Sequence, residues 1–161
     1  MTLFEICQRL QDTGPATALR ESRYVFPLVE TIHVLGLTVS VGLILITDLR
    51  LIGAAMRREP VSDVRQLRPW MLGGFAVMFI SGALLFYSEA AKVYSSATFR
   101  MKLIFLILAG INALVFETTI GRSVLDWNQA VPPRAKLAGW ISLICWTGVI
   151  VFGRWTAYGL N

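Results

Sequence analysis

The sequence predicts an all-α fold: an integral membrane antiparallel four-helix bundle with a short N-terminal interfacial helix. Three observations carry the prediction. Of 161 residues, 55% are hydrophobic and only 16% charged, against about a quarter charged in ordinary soluble domains. The mean hydropathy is +0.62. The apolar residues gather into four runs, near 26–48, 70–90, 101–121 and 137–156. Each can cross a hydrocarbon layer of roughly 30 Å at about 1.5 Å per helical residue. Residues 1–24 read as the interfacial segment and 25–161 as the bundle.

Thr2 and Glu5 open the chain at capping-box spacing, in which each side chain satisfies a free backbone N–H at a helix start. Leu3, Phe4, Ile6, Cys7 and Leu10 follow, with Gln8, Arg9, Gln11 and Asp12 between them, until Thr13-Gly14-Pro15 breaks the pattern. That fits a short helix lying in the membrane interface or packed on the bundle's end. Ala16 to Ser22 can add a turn or two before Arg23 and Tyr24, which anchor the mouth of the first span.

The first span runs from Leu28 to Thr47 and stops at Asp48-Leu49-Arg50, with Leu51 to Met56 able to prolong the helix. Ser62 to Arg68 reads as a brief polar helix. Pro69 and Trp70 then start the second span, the proline where its missing N–H is harmless and the tryptophan at head-group level. Gly73, Gly74, Gly82 and Ala83 are small enough to let helices approach closely in lipid. A short connection from Ala91 to Arg100 implies antiparallel neighbours. The third span, Met101 to Ile120, carries Lys102, Asn112 and Glu117, and a polar linker from Ser123 to Lys136 leads to the last span, Leu137 to Trp155.

An even number of crossings puts both termini on one side. The loops after spans one and three hold the denser basic clusters near span ends, which favours those loops as cytoplasmic and the termini as outside. The net charge is +5, but the arginines flank apolar runs. Their expected counterions are therefore lipid head groups and not nucleic acid. Cys7 and Cys145 cannot build a metal framework alone, and Cys145 reads as a small hydrophobe inside a span. No basic region, apolar run and cleavage site open the chain, so the first span is expected to direct insertion. The absence of a phosphate loop, H-E-x-x-H, C-x-x-C or nucleophile elbow weighs against an enzyme.

Folding the spans up and down brings Glu30, His33, Glu89, Lys102 and Arg154 towards the end nearer the termini. Glu30 and His33 share a helical face at i, i+3, the spacing of carboxylate-bridged metal sites in four-helix bundles. Intramembrane charge costs about 2.5–3.5 kcal/mol by insertion scales, so such residues are candidate sites. The single histidine argues against a di-metal centre. It leaves open a single metal ion held by His33 and Glu30, or haem b with His33 axial and Met78, a small molecule or a second copy's histidine opposite. Alternatively Glu30 pairs with Lys102 or Arg154, and His33 only orients helices. Asp48, Arg50, Glu117 and Arg122 form a second charged cluster that reads as structural, and Asn112 and Ser81 read as interhelical polar contacts.

The runs Phe26-Pro27, Glu30, His33-Val34-Leu35-Gly36, Asp48-Leu49-Arg50-Leu51-Ile52-Gly53, Arg68-Pro69-Trp70, Ser81-Gly82-Ala83-Leu84-Leu85-Phe86 and Phe99-Arg100-Met101-Lys102 resemble an uncharacterised family of bacterial four-span inner-membrane proteins. The resemblance extends through Ala109-Gly110-Ile111-Asn112 to Phe116. It implies a bacterial inner membrane and four helices, and no activity. Three expectations for function follow. The first is an accessory or assembly subunit, as a homo-oligomer or in a larger membrane complex, contacting the lipid bilayer. The second is a haem- or metal-binding redox protein using His33. The third is a small oligomeric transporter or channel with Glu30, His33 and Glu89 along a polar path.

Overall fold

A computed structural model of the chain describes residues 2–56, 65–120 and 131–159. The helices are α1 (Leu3–Gln11), α2 (Gly14–Glu21), α3 (Val25–Ile52), α4 (Arg68–Ser88), α5 (Ala90–Ser95), α6 (Ala97–Val115) and α7 (Pro133–Ala157). A π-helical turn, Phe116–Ile120, extends α6, and a short 3₁₀ turn, Arg65–Leu67, precedes α4. Four helices, α3, α4, α6 and α7, are long and apolar enough to cross a membrane. They pack α3 on α4, α6 on α7 and α3 on α7, which makes an all-α membrane bundle.

Several boundaries differ from the sequence expectation for local chemical reasons. The helix of the first span, α3, continues past Asp48 to Ile52, as the sequence allowed, but stops at Gly53 and not at Met56; the left-handed φ of 78° there suits glycine and turns the chain. The third helix starts at Ala97, not Met101, because the Ser96 hydroxyl accepts a hydrogen bond from Phe99 N at 3.4 Å. The last helix starts at Pro133, so Pro133 to Lys136 belong to it and not to the linker. The expected polar helix from Ser62 falls largely outside the described residues.

Inside lipid every polar group must find a partner within the protein. Thr31, Thr38 and Thr47 accordingly donate to the carbonyls of Pro27, Val34 and Leu43 at 2.8, 2.8 and 2.9 Å, within their own helix. The contact between α3 and α4 is made backbone to backbone. A Cβ built on Gly74 would lie 2.9 Å from Ser40 N and 3.1 Å from Gly36 O. The middle of the bundle is filled by Val41, Ala109, Cys145, Trp146 and Val149 with Phe75 and Phe105 around them. Leu35, Ile80, Ile107 and Ile144 point outward, 60–66% exposed, and a bilayer is the solvent that accommodates them.

Asn112 on α6 donates through Nδ2 to the Ala138 carbonyl of α7 at 3.0 Å. Asn112→Leu is expected to lower stability modestly, by about 0.6–2 kcal/mol, as read from unfolding in detergent. The Ala138 carbonyl keeps its place in the helix, so no strongly orphaned group remains.

The N-terminal segment forms two helices. The Thr2–Glu5 capping box closes, with Glu5 N donating to Thr2 Oγ1 at 3.3 Å and Thr2 N donating to Glu5 Oε2 at 3.0 Å. Both helices dock on the elbow between α4 and α5. Arg20 donates to the Ser88 carbonyl at 3.0 Å, Ala91 N donates to Gln11 Oε1 at 3.1 Å, and the hydroxyls of Thr13 and Tyr87 bond each other. The first two of these bonds satisfy a carbonyl and an N–H that the break between α4 and α5 leaves open.

Candidate functional site

Near the end of the bundle that carries α1, α2 and α5, a cavity of about 500 Å³ opens among α3, α4, α6 and α7. Glu30, His33, Glu89, Lys102 and Arg154 all line it, together with Phe26, Phe86 and Phe99. The space exists because α4 and α6 scarcely approach each other among the described residues. They are joined across the gap by Phe86 and Phe99, whose rings stack with centroids 5.7 Å apart.

His33 is the most constrained polar side chain of the cavity. Its Nδ1 lies 3.0 Å from the Met78 carbonyl and 3.1 Å from Ser81 Oγ. A carbonyl only accepts, so Nδ1 carries the proton and donates to it. The Ser81 hydroxyl in turn donates to the Val77 carbonyl at 2.6 Å. In the neutral ring this assignment makes Nε2 the basic nitrogen, and Nε2 has no hydrogen-bond partner among the described residues. Gly82 makes the arrangement possible, since a Cβ there would lie 3.0 Å from His33 Cε1 and 3.4 Å from Nδ1.

The charged residues play unequal parts. Lys92 holds Glu89 at 2.9 Å, and Arg154 donates to the Tyr158 hydroxyl at 2.8 Å with its guanidinium 4.7 Å from that ring's centroid. Glu30 is exposed at the mouth, and among the described residues it pairs with neither Lys102 nor Arg154. Lys102 is half-buried, with its stem over Gly153 and its ammonium 5.9 Å from the centroid of the Phe99 ring. Met78 meets His33 through its carbonyl and is absent from the cavity wall. It therefore does not face His33 across the cavity as a second axial ligand.

At the other end, Asp48 and Arg50 are both buried. Asp48 accepts a hydrogen bond from Ser142 on α7, while Glu117 pairs with Arg68 at 3.3 Å and ties the end of α6 to the start of α4. Arg122 lies outside the described residues. These bonds fasten helices to one another, and none of these residues lines the cavity that holds His33.

Gly82, Gly153, Ser142 and the Met78 carbonyl are participants that the residue pattern did not single out for these roles. Arg68 was discoverable, because an up-and-down topology puts the start of span two beside the end of span three. The others depend on side-to-side helix rotation, which composition does not encode.

A bare metal ion finds too few ligands here: among the described residues no group of three His, Cys, Asp or Glu side chains comes together. A cofactor that brings its own equatorial ligands needs only the imidazole. The model of a family of unknown function, DUF6644, matches residues 24–159. No curated protein and no solved structure matches the chain.

Proposed function

The chain belongs to DUF6644, a family of unknown function, and from the chemistry of its cavity we propose that it is a membrane protein that binds haem b, with His33 Nε2 as axial ligand. The observation that carries the reading is the imidazole itself. Its Nδ1–H is committed to a backbone carbonyl, its other nitrogen has no protein partner among the described residues, and its ring lines a cavity. This is how proteins orient histidines that bind metals.

The rest of the cavity suits a flat apolar macrocycle. Phe26, Phe86 and Phe99 supply an aromatic lining, and Lys102 supplies a cation for an acidic side chain. Bound iron would contribute one-electron or small-ligand chemistry. The protein's part is to hold the group, set the imidazole tautomer and exclude water.

Two other readings have less support. Exposed apolar helix faces are what an accessory subunit would present, but contact with lipid accounts for them without a partner. Conduction through one copy meets the packed middle of the bundle, where Val41, Trp146 and Phe105 belong to an apolar cluster. In the proposed reading the protein sits in a bacterial inner membrane with both termini outside. A C-terminal reporter that works only on the cytoplasmic side is expected to stay silent; activity would reverse the orientation.

The direct test is purification in mild detergent followed by titration with hemin. A Soret band that saturates at one haem per chain is expected. A spectrum no different from hemin in empty micelles would end the proposal.

A further inference from the structure

The cavity holds one cation whose partner the described part of the protein does not supply. Lys92 is spoken for by Glu89 and Arg154 by Tyr158. Lys102 has neither an ion pair nor a hydrogen bond among the described residues. Among the described residues its ammonium faces the Phe99 ring, 5.9 Å from Nζ to centroid. A half-buried ammonium within a membrane span is costly, and such residues usually meet an opposite charge.

We propose that Lys102 seats a carboxylate of the bound ligand, which for haem is one of its two propionates. This rests on the haem reading above and adds to it the recognition of the ligand's acidic edge. The geometry supports it in two ways. The lysine stem lies flat against α7 at Gly153, in ordinary van der Waals range: a Cβ built there would come 3.4 Å from Cδ, 3.6 Å from Cε and 3.8 Å from Nζ. The ammonium is thereby kept at the wall of the cavity that His33 lines. Lys102 also sits near the start of α6, which begins at Ala97, on the side of the bundle that carries α1, α2 and α5. An amphipathic ligand would there turn its acidic side towards the head groups and its apolar body inward.

The assignment gives Lys102 a positioning role distinct from that of His33. The imidazole holds the metal, and the ammonium fixes which way the macrocycle faces. Fluctuation of the long lysine chain costs entropy on binding, but a charge-assisted hydrogen bond out of water outweighs it.

The test compares hemin with hemin dimethyl ester, in which both carboxylates are masked, on the wild-type chain and on Lys102→Met and Lys102→Arg. Lys102→Met is expected to weaken hemin binding roughly tenfold without changing the shape of the Soret band, and Lys102→Arg to restore most of the loss. The ester is expected to bind the wild type more weakly than hemin does and to bind Lys102→Met no worse than the wild type. The wild-type comparison needs no variant to fold. Equal hemin affinity in wild type and Lys102→Met overturns the inference while the haem reading stands. So does an equal further loss with the ester, or a changed Soret band that makes the lysine a ligand to iron. No Soret band in the wild type overturns the haem reading itself.

Discussion

His33→Ala abolishes the saturable Soret band while the protein still extracts as a folded helical monomer or oligomer: this is the largest expected effect on ligand binding. The chain has a single histidine, so no second imidazole can take over. The loss should exceed the roughly 10–100-fold that removal of an outer-shell partner costs at metal sites. Two neighbours calibrate it. Ser81→Ala should cost much less, because the Met78 carbonyl, 3.0 Å from Nδ1, still fixes the tautomer. Gly82→Val should approach the effect of deleting the imidazole. Even the first carbon of its side chain would stand 3.0 Å from Cε1, and the branched remainder would push the ring off its carbonyl. Absorption titrations of the three variants check the order. A His33→Ala protein with an unchanged band would move the ligand elsewhere.

The largest expected effect on stability belongs to Gly74→Leu. The atoms that a Cβ at 74 meets first, Ser40 N at 2.9 Å and Gly36 O at 3.1 Å, are main-chain atoms of the facing helix. No rotamer change can relieve them, so α3 and α4 must separate. Overpacking a tight interior costs about 1–3 kcal/mol and sometimes more, and a leucine against backbone belongs at the upper end. The adjacent Gly73 has nothing within 4 Å of its would-be Cβ, so Gly73→Leu should be nearly silent and serves as the control. Thermal unfolding in detergent reads both. The two effects are also linked, because α4 carries the Met78 carbonyl that holds His33. Gly74→Leu should therefore weaken haem binding, whereas Gly73→Leu should not. Equal stabilities for the two leucine variants would mean that the α3–α4 contact is not as close as described.

Much of the architecture was legible in the residues. Apolar runs of about twenty residues announce spans because lipid offers the backbone no hydrogen bonds, so a crossing chain must be helical. Counting residues from the ends brings Glu30, His33, Glu89, Lys102 and Arg154 to one level, and these five line one cavity. Their pairing was not legible. The expected bond from Glu30 to Lys102 or Arg154 does not form among the described residues, whereas Glu89 takes its partner three residues away in Lys92. Helix boundaries shifted wherever a cap chemistry such as that of Ser96 or Gly53 decided them locally.

By itself, then, the sequence determined the apolar surroundings and the number of apolar helices, since both depend on composition along one axis. Tertiary structure alone decided rotation about that axis. It set Gly74 against a backbone and Gly73 against lipid, turned Nδ1 of His33 to a carbonyl on another helix, and left Lys102 beside the cavity without a partner among the described residues. The physical reason is that a helix hydrophobic all round carries almost no record of which face meets its neighbour. In a membrane that choice is made by close packing and interhelical hydrogen bonds, which exist only once the helices are together.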